Sequence, residues 1–420
     1  MHPNVSVADN LATETAIANQ CLRDLGMSGS SVKSEQLRGL VHALRHKDLF
    51  ICLPTGFGKS FCFQAFPLAS EKMGFPGVVV LVVSPLVGLS GDQVRHVNKQ
   101  IADYAIHITS PEDIAKAEKT KARLMYVSPE LLVEDPKVCL LLNTPHFKAH
   151  LELLVFDEVH CVASWGATFR TAYDKVDSML SLVPHRSVMA LTATATRTLM
   201  ASLSTKLRMD SPVQIVGGSL NPAIHLSVRA GGRFLPFLGS LVAELKLVRM
   251  HIETQRTIVF FTNLTTLQDT YSQFTDLLPA EAQYTSLGQQ FQNSRVGMFH
   301  SHTLPDIKAW VLDQFADPNS HLRVIFASSA FGLGIDAQGI DRVVHHSCPT
   351  DVDEYVQEIG RGGRGGGQVE AILFDTTTRN SSAAMVEYMK GTKCRRQFLC
   401  KAMDMPFLSP TRCCDVCDKK

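Results

Sequence analysis

The fold is decided by Leu53-Pro54-Thr55-Gly56-Phe57-Gly58-Lys59-Ser60, a glycine loop between two apolar segments. Residues 49–52 precede the loop and predict a short buried strand, and residues 61–69 follow it and predict the start of a helix. Strand, glycine loop and helix form the context that a phosphate-binding loop requires. The glycines let the backbone turn sharply and point its amides at one spot, and the helix adds the positive end of its dipole. The alternative is a glycine turn before an ordinary core helix.

The side chains of this loop suit a nucleoside triphosphate. Lys59 can reach the β- and γ-phosphates, and the hydroxyl of Ser60 can hold Mg²⁺. Thr55, Gly56 and Gly58 would complete the cradle for the phosphates. The loop therefore predicts ATP and Mg²⁺ as ligands.

Length and composition limit the class of protein. A chain of 420 residues with 45% hydrophobic residues suggests two or three packed domains. The formal net charge is +1, so binding of nucleic acid would depend on local patches rather than on a global field. The first ten residues carry no signal for secretion, and the longest strongly apolar run, residues 78–83, is too short to span a bilayer. Five of the 11 cysteines lie between Cys394 and Cys417, which favours a nucleocytoplasmic protein with one metal cluster over a disulfide framework.

Strand-like apolar runs alternate with helical patterns in two successive series, which predicts an α/β protein with parallel sheets and helices on both faces. The predicted strands are residues 49–52, 78–83, 124–127, 151–156 and 188–191 in the first series, and 257–261, 296–299, 324–327, 343–345 and 369–374 in the second. We expect two lobes with a nucleotide cleft between them and functional loops at the carboxyl ends of the strands. The expected division is an N-terminal extension at 1–30, a first lobe at 31–212, a second lobe at 213–380 and a cysteine-rich module at 381–420.

An acidic pair follows the fourth strand of the first series. Asp157 and Glu158 come directly after a buried apolar run, where charges are costly unless they serve a cation. Asp157 would hold Mg²⁺ through water, and Glu158 would orient and activate the attacking water. A solvated acidic loop is the alternative. Upstream, Gln36 lies 23 residues before Lys59 and could read the adenine edge through its amide group.

The second series carries a stretch rich in glycine and arginine, Gln357 to Arg364. We expect Arg361 and Arg364 to share one face of a helix, because they are three residues apart. A planar guanidinium suits a γ-phosphate, so Arg364 is the candidate arginine finger, with Arg361 and Gln357 beside it. The alternative is a solvated basic helix start. Asp336, in a glycine-interrupted loop, could accept hydrogen bonds from the ribose hydroxyls.

These stretches follow the order of the motifs of superfamily 2 helicases, and more narrowly the chain resembles RecQ-like DNA helicases. The resemblance covers about residues 21–417 and rests on residues 53–60, 84–86, 128–130, 157–160, 190–196, 331–336 and 357–364. Its most specific part is His160 to Arg170, which is similar to the aromatic-rich loop of that family. The resemblance implies two RecA-like lobes, a small helical zinc-binding module, ATP with Mg²⁺, and movement on DNA in the 3′ to 5′ direction.

The chain departs from the family pattern at several positions. Ala167 and Thr168 stand where His-Asp is usual, and Val159 stands where Ala is usual. Family members often have Gly where Phe57 stands and usually have Arg where Lys33 stands. The first departure bears on the coupling between DNA binding and ATP hydrolysis.

Aromatic and polar residues beside these motifs are candidate contacts for single-stranded and tailed DNA. Trp165 and Phe169 can stack on any base, so they suit binding that is independent of sequence, and Arg170 would add a phosphate or stacking contact. Burial in the core is the alternative for a tryptophan. Phosphate contacts are expected at three polar positions that follow predicted strands: Ser84, Ser128 and Asn263.

The cysteine-rich end predicts one zinc site. Cys414 and Cys417 have the two-residue gap that suits a tetrahedral zinc ion, and Cys394 matches the first ligand of the family. The fourth ligand is open between Cys413, which falls near the family's second position, and Cys400. A disulfide is the alternative for these cysteines.

By this resemblance the chain is expected to be an ATP-dependent DNA helicase or translocase in the nucleus or cytoplasm, with no membrane association. The alternatives are an RNA helicase of superfamily 2 and an inert ATP-binding scaffold, although the scaffold would predict losses at Lys59, Glu158 or Arg364. Relatives commonly continue beyond the zinc module into a winged-helix domain, whereas three residues follow Cys417 here. We therefore expect movement on single strands and poor separation of long duplexes.

Overall fold

The computed structural model describes residues 7–27, 31–54, 56–85, 87–159, 180–181, 183–193, 197–247, 254–278, 294–317, 319–332, 339–363, 367–376 and 380–419. The chain divides into two compact units, called lobe 1 and lobe 2 below, that change over between Gly217 and Gly218. The domain limits drawn from the sequence stay predictions. Within the described ranges, no helix is both long and apolar enough to cross a lipid bilayer.

Lobe 1 is built on a seven-stranded sheet in the order β3-β4-β2-β5-β6-β1-β7, in which every neighbouring pair is parallel. The strands are β1 Leu49–Cys52, β2 Val79–Val83, β3 Ala105–Ile108, β4 Leu124–Val127, β5 Leu151–Phe156, β6 Ser187–Thr192 and β7 Val213–Val216. Every residue of β1, β2, β4 and β6 is buried. Unbroken burial matches the continuous apolar runs in these strands, because a parallel sheet is covered on both faces.

Helices and two apolar clusters cover the two faces of this sheet. The described helices of lobe 1 are Val7–Asp24, Ser34–Leu44, Phe61–Gln64, Phe66–Lys72, Val87–Gln100, Pro111–Thr120, Pro129–Glu134, Pro136–Leu142, Pro145–His150 and Arg197–Lys206. Alternate residues of β1 belong to different clusters: Phe50 to one, and Leu49 and Ile51 to the other. The period-2 alternation of a strand thus builds both cores at once.

Lobe 2 repeats the plan with a six-stranded parallel sheet in the order β10-β11-β9-β12-β13-β8. The strands are β8 Ile224–Ala230, β9 Thr257–Phe260, β10 Val296–Phe299, β11 Val324–Ala327, β12 Arg342–His345 and β13 Val369–Asp375. The described helices are Phe234–Leu247, Leu264–Asp276, Pro305–Ala316, Val352–Ile359, Ala383–Lys390 and Arg395–Ala402, with 3₁₀ turns at Gly231–Arg233, Ser329–Gly332 and Cys417–Lys419. Two further apolar clusters cover its faces.

The cysteine-rich end packs on lobe 2 along its edge strand β8. Leu226 pairs with Cys414 in an isolated parallel bridge, in which the Asp415 amide donates to the Leu226 carbonyl at 2.9 Å. The Asp415 carboxylate also accepts from the Val228 amide at 3.2 Å. The module therefore satisfies backbone groups that an edge strand would otherwise expose.

The α/β fold class with two parallel-sheet lobes is confirmed. All strands predicted above are present, each within one residue at either end. The strands that the sequence did not predict are β3, β7 and β8, and each lies at the edge of its sheet.

Candidate functional site

The glycine loop of lobe 1 has the backbone geometry that its sequence predicts. Gly56 and Gly58 have φ angles of 78° and 87°, in the left-handed region that favours glycine. A Cβ atom at Gly58 would lie 2.5 Å from Nε2 of Gln36, so space as well as backbone conformation requires glycine here. Ser60 immediately precedes the helix Phe61–Gln64. Thr55 lies outside the described residues.

The ammonium group of Lys59 folds back across the loop. Its Nζ donates to the carbonyl of Leu53, at the start of the loop, at 2.9 Å. An ionised phosphate is a stronger acceptor for an ammonium group than a carbonyl. This placement is therefore compatible with transfer of Lys59 to a bound triphosphate.

Two residues upstream of the loop fasten its backbone. Nε2 of Gln36 donates to the carbonyls of Phe57 and Gly58 at 3.2 and 3.0 Å, and its Oε1 accepts from the Lys33 amide at 3.0 Å. Lys33 donates from Nζ to the Phe57 carbonyl at 3.0 Å and lies 4.2 Å from the centre of the Phe57 ring. The role of Gln36 in reading adenine stays a prediction, and the structure gives it a second role in shaping the loop. Lys33 was missed as a site residue, although its position three residues before Gln36 was the available signal.

The acidic pair follows β5 in a tight, strained turn. Asp157 is 5% exposed, and its amide donates to the Val83 carbonyl at 2.9 Å. Glu158 has a φ of 48°, which is uncommon for a residue with a Cβ, and its amide donates to Oδ1 of Asp157 at 3.0 Å. Strained backbone of this kind clusters at functional sites. Val159 is fully buried and its amide donates to the Leu191 carbonyl, which fixes the turn against β6.

The strand order places the acidic pair and the glycine loop at the same end of the sheet, where the strands have their carboxyl ends. Strands β5, β6 and β1 are neighbours and parallel, so their carboxyl ends lie together. The Leu53 amide donates to the Thr192 carbonyl at 3.2 Å, which joins the start of the loop to the end of β6. Two strand spacings separate the strand before the loop from the strand before Asp157, or roughly 10 Å. A triphosphate with its magnesium ion is long enough to span this distance. Of the motif at residues 190–196, which follows β6, residues 194–196 lie outside the described residues.

The described candidates for DNA contacts lie at strand and helix ends. Ser84 is 2% exposed at the end of β2, and its amide donates to the Val127 carbonyl. Ser128 caps the helix Pro129–Glu134 by accepting from the Leu131 amide at 3.2 Å. Asn263 caps the helix Leu264–Asp276 in the same way through the Thr266 amide, at 2.9 Å. The two caps lie at helix N-termini, which favour anions. Contacts of these three residues with DNA stay predictions. Trp165, Phe169 and Arg170 lie outside the described residues.

The arginine-rich stretch of lobe 2 differs from its prediction. The helix Val352–Ile359 carries Gln357 but ends before Arg361, which is 6% exposed in the following turn. We expected Arg361 and Arg364 to share one face of a helix. This is wrong, because Arg361 lies beyond the end of the helix. Glycine disfavours helix, and a Cβ at Gly362 would lie 2.5 Å from the Val369 side chain, so the chain turns here. Arg364 and Asp336 lie outside the described residues.

A buried hydrogen-bonded pair holds the same helix against the sheet. Nε2 of His345, at the end of β12, lies 2.8 Å from Oε2 of Glu358. Burial lowers the pKa of His345 to about 3 and raises the pKa of Glu358 to about 8. These directions favour a neutral imidazole facing a protonated carboxyl group. The sequence prediction missed this pair, which joins residues of different elements and has no spacing signal.

Four cysteines come together at the C-terminal end of lobe 2. The sulfur atoms of Cys394, Cys413, Cys414 and Cys417 all lie within 4.8 Å of one another, and three of the distances are 3.5, 4.0 and 3.5 Å. Four thiolates around zinc lie about 3.8 Å apart when each bond is about 2.3 Å. The donor set and its spacing fit a structural zinc ion.

The structure brings Cys413 to this cluster and places Cys400 elsewhere. Cys400 is 2% exposed in the apolar core of lobe 2. Adjacent thiols do reach one centre here, because Cys413 approaches Cys394 while Cys414 approaches Cys417. The four described cysteines of the cluster are free thiols, not disulfides.

Two family models match the chain. DEAD/DEAH box helicase matches residues 33–202, and Helicase conserved C-terminal domain matches residues 240–366. ATP-dependent DNA helicase Q1 of Mus musculus is 27% identical over 412 residues, which cover 91% of this chain and 59% of the relative. ATP-dependent DNA helicase RecQ of Pasteurella multocida is 25% identical and covers 89% of this chain and 58% of the relative. The chain thus spans less than two thirds of the length of these relatives.

Solved structures match both lobes. The DUF1998 helicase MrfA bound to DNA and AMPPNP has a TM-score of 0.68 at 15% identity, over 95% of this chain and 54% of that one. The DEAD-box helicase Mss116 bound to ssRNA and UDP-BeF has a TM-score of 0.68 at 13% identity, over 98% of this chain and 82% of that one. At such identities the likeness shows the fold, which is RecA-like in both lobes.

Proposed function

Because the chain is a RecQ-like helicase core of superfamily 2, we propose that it is an ATP-dependent DNA helicase that moves along single-stranded DNA. The observation that carries this proposal is that the glycine loop with Lys59 and the strained Asp157–Glu158 turn lie at the same, carboxyl end of the neighbouring parallel strands β1, β6 and β5. The 3′ to 5′ direction follows from the family resemblance. Single-stranded and tailed DNA are the proposed partners, and the nucleus is the proposed location.

The residues of lobe 1 bind the triphosphate and prepare the attacking water. Lys59 would leave the Leu53 carbonyl and neutralise charge on the β- and γ-phosphates, while Ser60, and Asp157 through water, would hold Mg²⁺. Mg²⁺, when bound, offsets negative charge that develops on the phosphates. Glu158 takes a proton from water, and its backbone turn fixes where its carboxylate can reach. Arg361 and Arg364 supply guanidinium groups to the γ-phosphate in this scheme.

We also propose that the four cysteines hold one zinc ion as a structural site. Its proposed ligands are Cys394, Cys413, Cys414 and Cys417, and the closeness of their four sulfur atoms supports Cys413 over Cys400 as the fourth. A site with four thiolates has no open position for substrate, so the ion would supply stability rather than chemistry.

An RNA helicase is the second candidate, because the structural neighbour Mss116 is bound to ssRNA. The sequence relatives named above favour DNA, since each is called a DNA helicase. A phosphate-release assay with Mg²⁺, run with no nucleic acid, with single-stranded DNA and with single-stranded RNA, separates the candidates. Stimulation by DNA alone is expected. Stimulation by RNA alone would replace the proposal with the second candidate, and no turnover in any arm would indicate an ATP-binding scaffold.

Glu158→Gln should reduce turnover by about 10²-fold or more while nucleotide affinity is kept, because the water loses its base but the metal and phosphate ligands remain. Fluorescent-nucleotide titration and phosphate release measure the two effects separately. Glu118→Gln, on an exposed helix position of lobe 1, is the matched control and should behave as wild type. Wild-type turnover in Glu158→Gln would show that this carboxylate is not the base.

A further inference from the structure

We propose that Asn221 is a positioning residue for the arginine segment, defined here as Arg361–Gly363, and that it links this segment to the cysteine cluster. The inference rests on the proposed function, because it assigns the segment a role in ATP hydrolysis. It concerns lobe 2 alone, and it gives the cysteine module an effect on turnover in addition to its effect on stability.

The arginine segment lies beyond the end of its helix and is joined to it by two turn hydrogen bonds. Beyond Ile359 the chain turns, and the amides of Arg361 and Gly362 donate to the carbonyls of Glu358 and Ile359 at 3.1 Å each. Gly363 has a φ of 75°, and its amide donates to the Ile340 carbonyl at 3.3 Å. The last residue of the segment, Gly363, is therefore held by contacts from outside the helix.

The side chain of Asn221 lies directly against Gly363. Its Nδ2 is 3.5 Å from the Gly363 carbonyl oxygen, a long hydrogen bond, and a Cβ at Gly363 would lie 2.7 Å from the same nitrogen. The other end of the amide is fixed, because Oδ1 accepts from the Ala223 amide at 3.0 Å. Asn221 thus presents an oriented donor and a packing surface to the residue two positions after Arg361.

A fully buried arginine fixes the turn that carries Asn221. Arg396 is 0% exposed, and its guanidinium donates to the carbonyls of Leu220 at 2.7 Å, of Asn221 at 3.2 Å and of Ile224. A buried guanidinium is costly unless its donors are used, so these carbonyls are held firmly in place. Lysine has a compact charge and no planar fork, so it could not bind the same set of carbonyls in this geometry.

Arg396 also ties this turn to the cysteine cluster. It lies two residues after Cys394, in the first turn of the helix Arg395–Ala402. The neighbouring Arg395 donates from Nε to Asp415 at 3.0 Å, next to Cys414. A continuous path of contacts runs from Cys394 through Arg396 and Asn221 to Gly363. Contiguity alone does not demonstrate coupling, so the path needs a test in which stability and turnover are separated.

The first test is Asn221→Asp in the full chain. Aspartate keeps the size of the side chain and the acceptor for the Ala223 amide, but it removes the donor and sets an oxygen against the Gly363 carbonyl. We expect kcat for ATP to fall about 3- to 10-fold, the effect of one hydrogen bond. KM for ATP and the zinc content should stay at wild-type values, and the melting temperature should fall by no more than about 5 °C, the effect of one lost hydrogen bond. Asn319→Asp, at an exposed position of lobe 2, is the matched control and should change nothing.

The second test is a double-mutant cycle of Asn221→Ala and Gly363→Ala. The new methyl group at 363 collides with the Asn221 amide, and Asn221→Ala removes that amide, so the combined loss of kcat should be smaller than the product of the single losses. Backbone strain at position 363 is present on both sides of the cycle and cancels. Losses that multiply independently would overturn the proposal.

Arg396→Lys tests the next contact on the path. Its kcat should fall while metal analysis still finds about one zinc per chain, because the thiolate ligands are unchanged. Wild-type kcat in both Asn221→Asp and Arg396→Lys, with an active wild-type protein, would overturn this inference and leave the proposed function standing. A wild-type protein without ATPase activity would instead overturn the proposed function.

Discussion

Lys33 and Phe57 show how two unusual residues are accommodated around the glycine loop. Each departs from the residue that the family usually has, and in the structure they contact each other, with Nζ of Lys33 4.2 Å from the centre of the Phe57 ring. A cation over an aromatic face contributes about 0.5–1 kcal/mol at partly exposed positions. Burial lowers the pKa of Lys33, while Glu35 acts in the opposite direction. The two unusual residues therefore contact each other, and the loop backbone still accepts hydrogen bonds from Lys33 and Gln36.

His345 and Glu358 place ionisable groups where burial decides their charge. Both residues are under 5% exposed, and Phe260 stacks on the imidazole. Burial raises the pKa of Glu354, one helical turn before Glu358, to about 7, and Glu358 adds to this shift when it is ionised. A carboxyl group whose folded-state pKa is raised stabilises the fold below its unfolded pKa of 4.5, and this contribution is lost as the pH rises through the folded-state value.

The Glu358→Gln variant should therefore lose less stability at alkaline pH than the wild type. Glutamine can still donate to Nε2 of His345, but it has no proton to lose as the pH rises from 5 to 9. Melting temperatures measured at several pH values in this range should converge or cross for the two proteins as pH increases. Below pH 6.5 both proteins lose the His345 contribution, because His345 stays neutral in the fold while the unfolded chain binds a proton. In the wild type the Glu358 contribution offsets this loss down to about pH 4.5, so the variant should lose more stability than the wild type in acid. Parallel curves over the whole range would show that Glu358 does not titrate as proposed.

Edge strands mark the limit of what the sequence predicts about the elements. The interior strands are rich in apolar residues because helices cover both faces, and all of them were predicted. Val213–Val216 and Ile224–Ala230 are partly exposed and alternate with polar residues, and Ala105–Ile108 carries His107 in its middle. A short run of this kind does not differ from a loop in composition, and its pairing with a distant strand is what makes it a strand.

The site was predictable where one local segment carries the chemistry, and less so where distant segments meet. The glycine loop and the acidic turn follow from contiguous residues with a strand before each. Three contacts at the candidate sites join residues that are 19 or more positions apart in the sequence: Gln36 with Gly58, Cys394 with Cys413, and Asn221 with Gly363. No periodicity or spacing in the sequence reports such contacts.

Substitution of Cys413 and Cys400 should separate a zinc ligand from a core cysteine. Cys413→Ser should lose zinc and destabilise lobe 2, because binding free energy of a structural zinc ion is also folding free energy. Cys400→Ser should keep about one zinc per chain, although a hydroxyl in the apolar core should lower the melting temperature. Metal analysis and thermal unfolding of the two variants measure both effects. If Cys413→Ser kept zinc and Cys400→Ser lost it, Cys400 would be the fourth ligand and Cys413 the core cysteine.

At the scale of the whole molecule, two sheets and four apolar clusters divide between two compact units. Each sheet is covered on both faces by residues of its own lobe, so each lobe has the core that an independent domain needs. The cysteine module belongs to the second of these cores, since Leu399, Cys413 and Cys414 are among its buried members. The zinc site is thus part of the folding of lobe 2.

Residues 218–420 should accordingly fold without lobe 1. We expect the isolated fragment to unfold in one cooperative thermal transition, to bind about one zinc per chain and to have no ATPase activity, because Lys59 and Glu158 are in the other lobe. A shorter fragment, residues 218–390, is the informative comparison. It lacks the Arg396 contacts to the turn before β8 and the Asp415 contacts along β8, so it should melt at a lower temperature and expose the edge of the sheet to aggregation. Circular dichroism and light scattering during heating record both behaviours. A non-cooperative 218–420 fragment with its zinc bound would show that lobe 2 depends on lobe 1 for its fold, whereas equal stability of the two fragments would show that the module adds nothing to the edge strand.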